Sequence, residues 1–359
     1  MPSSKNKSAL QEKKSDSLSN LSAISAERIK SLRREKKDIN ELIQGVLKGN
    51  KTALSQAITL IESRSKRHTD DIKTVISSCL PHANKSLRIG ITGVPGVGKS
   101  TFIEQLGLRL THKGHKVAVL AVDPSSSVSR GSILGDKTRM EKLVQEPNAF
   151  IRPTASSESL GGVARKTRES ILLCEAAGFD ILLVETVGVG QSETTVHSMT
   201  DFFLLLKLAG AGDELQGIKR GIIEMADAII INKSDGENIK PAKRAKVEFT
   251  NALHMYPAKQ NGWSPKVKLA SALNNVGIEK VWTMISKYAT IVKSNGFFEN
   301  KRADQNQFWL TQTIEDSLKR EFYQNETIKA EFPEVLKKIQ SQQISPFEAA
   351  DYLLKKAKL

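Results

Sequence analysis

The 359-residue chain is poor in the residues that cross-link proteins or carry them through membranes. Its only cysteines, Cys79 and Cys174, are far apart and lack metal-ligand spacing, which excludes a disulfide framework and favours a reducing compartment. No apolar run reaches the roughly 18 residues that a transmembrane helix requires. The N-terminus has neither the apolar core of a secretory signal nor the acid-poor, arginine-rich composition of a transit peptide. We therefore expect a cytoplasmic protein without membrane contact.

Acidic residues are scarce relative to basic ones, with 39 Asp and Glu against 54 Lys and Arg and a net charge of +15. Such an excess favours an acidic ligand or partner. Aromatic residues make up only 5% of the chain, the basic residues are spread along it, and no zinc-finger or ribonucleoprotein motif is present. We therefore do not expect nucleic-acid binding. Apolar residues, at 39%, suffice for a sizeable core.

The chain divides into four segments by pattern. Residues 1–25 are rich in serine and lysine without periodicity, which predicts a disordered tail. Residues 26–85 place apolar side chains three and four apart, which predicts two or three helices. Residues 86–298 alternate strand and helix patterns, and residues 299–359 are again amphipathic helices. Because nothing in the core requires these last helices, we expect them to form an arm that mediates dimerisation.

Seven candidate strands, most of them continuous apolar runs, lie in residues 86–298. Such runs are typical of strands covered on both faces. Together with the intervening helices they predict an α/β fold with a doubly wound, mostly parallel sheet, whose ligand lies at the carboxyl ends of the strands. The candidates are Leu87–Gly93, Lys116–Asp123, Ala149–Ala155, Asp180–Thr186, Phe202–Ala209, Asp227–Asn232 and Lys266–Ser271.

A phosphate-binding motif follows the first candidate strand. The stretch "GVPGVGKS" matches G-x-x-x-x-G-K-[ST], the P-loop pattern, and a helical pattern follows it. Its glycines let backbone N–H groups turn towards phosphate, and the helix N-terminus adds a positive dipole. Lys99 would reach the β- and γ-phosphates, and Ser100 would hold Mg²⁺. The predicted nucleotide-binding run is Gly93, Val94, Pro95, Gly96, Val97, Gly98, Lys99, Ser100 and Thr101.

Two further strands end in acidic residues. The second strand ends at Asp123, where a carboxylate can face the phosphates, and the loop after it suits either a γ-phosphate sensor or an ordinary polar loop. The fourth strand ends in Glu185, which resembles the Walker B acid that supports magnesium, although glutamate replaces the usual aspartate. Gly188, three residues later, can donate its backbone N–H to the γ-phosphate.

Val189 stands next to that glycine, where Ras-like GTPases have a glutamine that orients the attacking water. Valine cannot do so, and whether Gln191 reaches the water is left open. The sequence therefore predicts slow intrinsic hydrolysis, completed by a loop movement or a partner.

The sixth strand ends in "NKSD", the N-K-x-D motif of guanine-specific sites. Guanine presents two adjacent donors, and Asp235 offers two acceptor oxygens, which adenine would leave unpaired. Asn232 can either address the purine or tie loops together, and the Lys233 stem can lie along the base. We therefore expect GTP and GDP as ligands. The segment "ASAL" can supply backbone N–H groups to guanine O6, through Ser271, Ala272 and Leu273.

In this order, the motifs closely resemble the MeaB/ArgK/MMAA family of P-loop GTPases over about residues 40–359. The most specific stretches are "GVPGVGKST", "AVDPSSSVSRGSILGDKTRM", "ETVGVGQSE" and "AGAGDELQGIKRGIIEMAD". The resemblance implies a homodimeric GTPase that escorts an adenosylcobalamin-dependent acyl-CoA mutase, typically methylmalonyl-CoA mutase. Such a protein gates cofactor loading and protects the mutase from inactivation. Isobutyryl-, ethylmalonyl- and methylmalonyl-type clients are left open.

The same resemblance implies roles for particular residues. Lys99 and Ser100 would bind phosphate and magnesium, and the acidic surround of the metal would be Asp123, Asp136 and Glu185. The segment from Gly212 to Lys219 would be an additional switch, with Asp213 and Lys219 as its coupling residues.

An ATP-using kinase associated with arginine and ornithine transport is the alternative function, since similar proteins have carried that description. The N-K-x-D motif argues against it, because an enzyme that uses ATP gains nothing from a guanine clamp.

Overall fold

The structure is a computed structural model that describes residues 38–63, 65–123, 140–155, 160–186, 192–210 and 220–357. Seven strands in these residues form one sheet, in the order β3-β2-β4-β1-β5-β6-β7, and all neighbours pair in parallel. The strands are β1 (Leu87–Gly93), β2 (Val117–Asp123), β3 (Ala149–Ala155), β4 (Ile181–Thr186), β5 (Phe202–Lys207), β6 (Ala228–Ile231) and β7 (Lys266–Leu269). The predicted fold is confirmed, with β5, β6 and β7 shorter than predicted because the chain turns there into the loops of the site. The predicted tail, residues 1–25, lies outside the described residues.

Helices precede, connect and follow the strands. Before the sheet come α1 (Ile39–Leu47), α2 (Lys51–Glu62) and α3 (Thr69–Cys79). Between and after the strands come α4 (Lys99–His112), α5 (Glu141–Gln145), α6 (Leu160–Ala176), α7 (Ser192–His197), α8 (Arg220–Met225), α9 (Ile239–His254) and α10 (Ile278–Ser294). The C-terminal helices are α11 (Phe297–Gln324), α12 (Glu326–Gln340) and α13 (Pro346–Ala357). None of the helices described combines the length and the apolar character needed to cross a membrane.

Both faces of the sheet are covered, as the continuous apolar strands predict. Side chains of β1 and β4 such as Ile89 and Leu183 pack with Phe102 of α4 on one face. On the other face, Leu182 of β4 packs with Leu54 of α2, in a core that also includes residues of α1, α3 and α6. The N-terminal helices therefore share the core of the sheet, and α4, α5 and α10 lie on the opposite side.

The C-terminal helices contact the domain core only at their beginning. The first half of α11 packs on the domain and buries Arg302, Gln305 and Trp309. Helices α12 and α13 build a small core of their own, formed by Ile328, Val335, Ala349 and Leu353. At 1.5 Å per residue, the 28 residues of α11 extend about 42 Å, which carries that small core away from the sheet.

A buried ion network attaches α11 to the domain. Arg302 donates from Nε to Asp201 Oδ1 at 2.6 Å and from Nη2 to Asp201 Oδ2 at 2.7 Å. Arg88 of β1 donates to both carboxylate oxygens of Glu175, each at 2.8 Å. Burial alone would raise the pKa of Glu175, but the hydrogen bonds and charge of Arg88 hold that pKa below its ordinary value. The network thus joins α6, α11, β1 and the entry to β5.

Replacing Asp201 by asparagine should destabilise the protein strongly. The Asp201 side chain is buried and pairs with Arg302, so Asp201→Asn removes the nearer of the two carboxylates of Arg302 and leaves only Glu175, 3.6 Å from Nη1. We expect the free energy of unfolding in urea to fall by about 3 kcal/mol. The matched control is Asp304→Asn, an exposed position on α11, which should change it by less than about 0.5 kcal/mol. Equal stability of the two variants would contradict a stabilising role for the network.

Candidate nucleotide-binding site

The loop between β1 and α4 has a backbone that strongly favours glycine at two positions. Gly98, the N-cap of α4, has φ +92°, and an added Cβ would lie 2.8 Å from Asn232 Nδ2. Gly93 has φ +152°, and a Cβ there would lie 2.6 Å from the Leu206 carbonyl oxygen. The loop therefore packs directly on β5 and on the Asn232 side chain, and side chains at these positions would push it away.

Lys99 lies at the first position of α4, with its ammonium in the loop. Its Nζ donates to the Gly93 carbonyl at 2.8 Å and to the Val94 carbonyl at 3.3 Å, and the residue is buried. Val97 anchors the loop in the core. Ser100 is half-buried, while Pro95, Gly96 and Thr101 are exposed. A cation and a helix N-terminus therefore meet at one loop. Both carry positive charge that attracts phosphate.

Glu185 is the described acidic residue that fits magnesium. It is buried in β4, where its Cα lies opposite Ile91 of β1. Because side chains alternate along a strand, Glu185 faces the same side as Leu183, which packs under α4. Ser100 opens α4 on that side, and carboxylate and hydroxyl oxygens are ligands that Mg²⁺ prefers. These residues therefore fit the predicted ion.

The other predicted phosphate-side residues are only partly described. The backbone of Asp123 ends β2 opposite Ala155, but its side chain lies outside the described residues. Asp136, Gly188 and Lys219 also lie outside them, as do Val189, Gln191 and Asp213. Within the described ranges, no three His, Cys, Asp or Glu side chains are grouped as a metal site.

The Asn232 side chain connects the P-loop with the segment that follows β7. It is buried, its Nδ2 donates to the Val97 carbonyl at 2.8 Å, and its Oδ1 accepts from the Ala272 N–H at 3.2 Å. Of the two roles left open by the sequence, the structure shows the second, a tie between loops. The P-loop is thereby joined to the segment after β7.

Asp235 is oriented by the segment after β7. The Ser271 hydroxyl donates to Asp235 Oδ2, and the same hydroxyl oxygen accepts from the Asn274 N–H at 3.2 Å. Lys233, with φ +54°, is exposed, and its Cε lies 3.9 Å from a Cβ placed on Gly98. The lysine stem thus lies beside the P-loop, and the carboxylate lies against the segment after β7.

The backbone N–H groups of "ASAL" are mostly engaged within the protein. Ala270 donates to Ile231, Ser271 donates to Val276, and Ala272 donates to Asn232. Among these four described residues, only Leu273 has an N–H group without an acceptor in the protein, and its side chain is 80% exposed. Leu273 is therefore the N–H donor of this segment that is best placed to meet a purine oxygen.

Two hydroxyl contacts were not predicted. Thr186 Oγ1 donates to Thr92 Oγ1 at 2.8 Å and joins β4 to β1 just before both strands enter the site. The Ser271 hydroxyl was expected only as part of a backbone donor segment. Hydroxyl residues at two neighbouring strand ends were the available signal for the first contact, whereas the second depends on a loop approach that no local pattern encodes.

Comparison with known proteins matches this geometry to one family. The family model for the methylmalonyl Co-A mutase-associated GTPase MeaB matches residues 54–327. GTPase ArgK of Escherichia coli is 44% identical over 306 residues, 85% of this chain and 92% of that protein. The mitochondrial methylmalonic aciduria type A homolog of Mus musculus is 43% identical over 332 residues, 90% and 80% of the two chains.

A solved structure shares the architecture. The crystal structure of an LAO/AO transport system kinase superposes with a TM-score of 0.73 and 36% identity, and the match covers 90% of this chain and 99% of that one. With the family model matched over most of the chain and a P-loop fold that carries a guanine motif, the predicted resemblance is confirmed. The chain belongs to the MeaB family of methylmalonyl Co-A mutase-associated GTPases and is a P-loop GTP hydrolase.

Proposed function

We propose that this protein uses GTP to gate adenosylcobalamin loading into an acyl-CoA mutase of the methylmalonyl-CoA mutase type, and that it protects that mutase. The nucleotide part of the proposal is supported by the Asn232 side chain, which hydrogen-bonds both to the P-loop and to the segment after β7. The name of the matched family supplies the client. We further propose that the protein acts in the cytoplasm. Its two cysteines are free and buried, as is usual in a reducing compartment.

The phosphate side of the site would work by charge neutralisation. The Lys99 ammonium would move from loop carbonyls to phosphate oxygens, and the Gly188 N–H would hold the γ-phosphate. Ser100, Glu185, Asp123 and Asp136 are the proposed Mg²⁺ ligands or their immediate surround. When bound, the ion would supply positive charge at the phosphates.

The base side would select guanine. Asp235, held by Ser271, would accept the two guanine donors, and the Lys233 stem would lie along the base. The backbone N–H of Leu273, with Ala272 and Ser271 beside it, would donate to guanine O6. The transport-kinase alternative has the superposed LAO/AO transport system kinase in its favour, but an ATP site leaves Asp235 without the donors it matches.

The C-terminal arm supports the proposed homodimer. An apolar cleft of about 540 Å³ lies among α11, α12 and α13. Nearby, Leu310 and Phe347 are 63% and 83% exposed. Apolar surface of this extent is typical of an interface, and a second copy of the arm offers a matching apolar face.

We expect the mutase to accelerate hydrolysis through the segment that ends at Lys219. Single-turnover GTP hydrolysis should rise severalfold when purified mutase is added. Lys219→Ala should keep GTP affinity but lose most of this stimulation, because the charged group that responds to the client is removed. The matched control is Lys280→Ala, an exposed lysine on α10, which should be stimulated like wild type.

The outcomes separate two claims. A wild-type rate that the mutase leaves unchanged would refute the coupling to a client. Full stimulation of Lys219→Ala would refute the role of that segment alone.

A further inference from the structure

Helix α9 presents a basic face at the guanine side of the site. It begins directly after the turn Gly236–Asn238 that follows Asp235, so its position relative to the motif is fixed. One side of α9 packs on the sheet, through Ala242, Ala245, Phe249 and Leu253. By helical periodicity the opposite side carries Lys240, Lys243, Arg244 and Val247, all exposed, which we name the α9 basic face.

The cations of this face are not neutralised by neighbours. In the part of the chain that the structure describes, Lys240, Lys243 and Arg244 have no ion pair and no side-chain hydrogen bond. Three exposed lysines of α12 and α13 differ, because each of them pairs with an acid. Those pairs are Lys329 with Glu326 at 2.7 Å, Lys337 with Glu334 at 2.8 Å and Lys356 with Glu331 at 2.8 Å. Glu248 is the only acidic residue of α9, against Lys240, Lys243, Arg244 and Lys246, so the exposed surface of α9 carries a net positive charge.

Apolar side chains are exposed within and beside the cations. Val247, in the middle of the face, is 59% exposed, and Ile239 and Met255 at the two ends are 44% and 86% exposed. A face that serves only solubility does not need them, whereas protein interfaces combine an apolar centre with a charged rim. Phe249, the only Phe, Tyr or Trp of α9, is buried, so the face lacks the large stacking side chains of single-strand nucleic-acid sites.

We propose that the α9 basic face is a docking surface for an acidic, partly apolar patch on the client mutase, an inference that rests on the proposed function. Opposite charges would steer the encounter, and Val247 would be covered on contact. A partner docked there lies next to Asp235 and so beside the bound base. Nucleic acid is disfavoured because the three cations occupy little more than one turn of a convex helix, which offers few phosphate contacts.

The test reverses the charge of the face. The variant Lys240→Glu/Lys243→Glu/Arg244→Glu is compared with Lys48→Glu/Lys85→Glu/Lys280→Glu, three exposed lysines elsewhere that change the net charge equally. The probe is purified methylmalonyl-CoA mutase encoded in the same genome, and its association rate is measured by surface plasmon resonance at low and high salt. We expect the α9 variant to associate about tenfold more slowly at low salt, with a smaller difference at high salt. The control should stay within about twofold of wild type, and basal hydrolysis should be unchanged in both.

Equal association rates for the two variants would overturn the docking proposal while leaving the proposed function in place. If wild-type protein does not bind the mutase at all, the proposed function fails and the partner assigned to this face fails with it. Fluorescence anisotropy with duplex and single-stranded oligonucleotides forms the second arm. Loss of oligonucleotide binding in the α9 variant, with normal mutase association, would assign the face to nucleic acid and refute the proposal.

Discussion

Lys99→Ala should lower the single-turnover rate of GTP hydrolysis by at least about a hundredfold, because the γ-phosphate would lose the cation proposed to balance its charge. The ammonium already lies in the loop, 2.8 Å from the Gly93 carbonyl, so little rearrangement is needed to reach a phosphate. The measurement is rapid-quench hydrolysis with enzyme in excess over GTP. The matched control is Lys113→Ala, which removes a lysine just beyond the other end of α4 that pairs with Glu279. The control should hydrolyse GTP like wild type.

A collapse of the P-loop could imitate this loss, because Lys99 is buried. Lys99→Met keeps most of the apolar stem and removes only the charge, so it should be as inactive as Lys99→Ala while unfolding at the wild-type temperature. Hydrolysis within a few-fold of wild type in Lys99→Met would place the phosphate-binding cation elsewhere.

Asp235→Asn should convert a guanine site into a xanthine site. The carboxylate would accept the two guanine donors, and an amide in its place would present a donor against a donor, at a cost of a few kcal/mol. We expect the affinity for GTP to fall about a hundredfold or more, and the affinity for xanthosine triphosphate, which has an acceptor at that edge, to rise. Isothermal titration calorimetry with GTP, ATP and xanthosine triphosphate measures both changes.

The control for this exchange is Glu237→Gln, which removes a neighbouring exposed carboxylate and should not alter nucleotide preference. Two results would count against the assignment. Equal affinities of the wild-type protein for ATP and GTP would show that the site is not selective for guanine. An unchanged nucleotide preference in Asp235→Asn would show that another residue determines the specificity.

Sequence patterns sufficed for the parts of this protein that depend on neighbours along the chain. Continuous apolar runs predicted most of the strands, because a strand buried on both faces must be apolar throughout, whereas the edge strands β3 and β7 have more mixed sequences. The P-loop was predictable because Gly93 and Gly98 have backbone angles and close contacts that few other residues allow.

Contacts between distant segments were not predictable in the same way. Asn232 had two plausible roles, and only the approach of Val97 and Ala272 decides between them. The pairing of Arg302 with Asp201 joins residues about a hundred positions apart, and neither residue belongs to a motif. Such pairs follow from the packing of whole elements, which local periodicity does not specify.

The Asn232 amide has a thermodynamic consequence, since one side chain restrains both the loop that would hold the phosphates and the segment that would meet the purine. Ordering either segment partly orders the other, so the entropic penalty of immobilisation falls largely once instead of twice. The binding free energies of guanosine alone and of pyrophosphate alone should then add up to less than the binding free energy of the intact nucleotide. By linkage, the factor by which one bound moiety raises the affinity for the other is the same in both directions. The asparagine would thereby favour the intact nucleotide over either of its fragments.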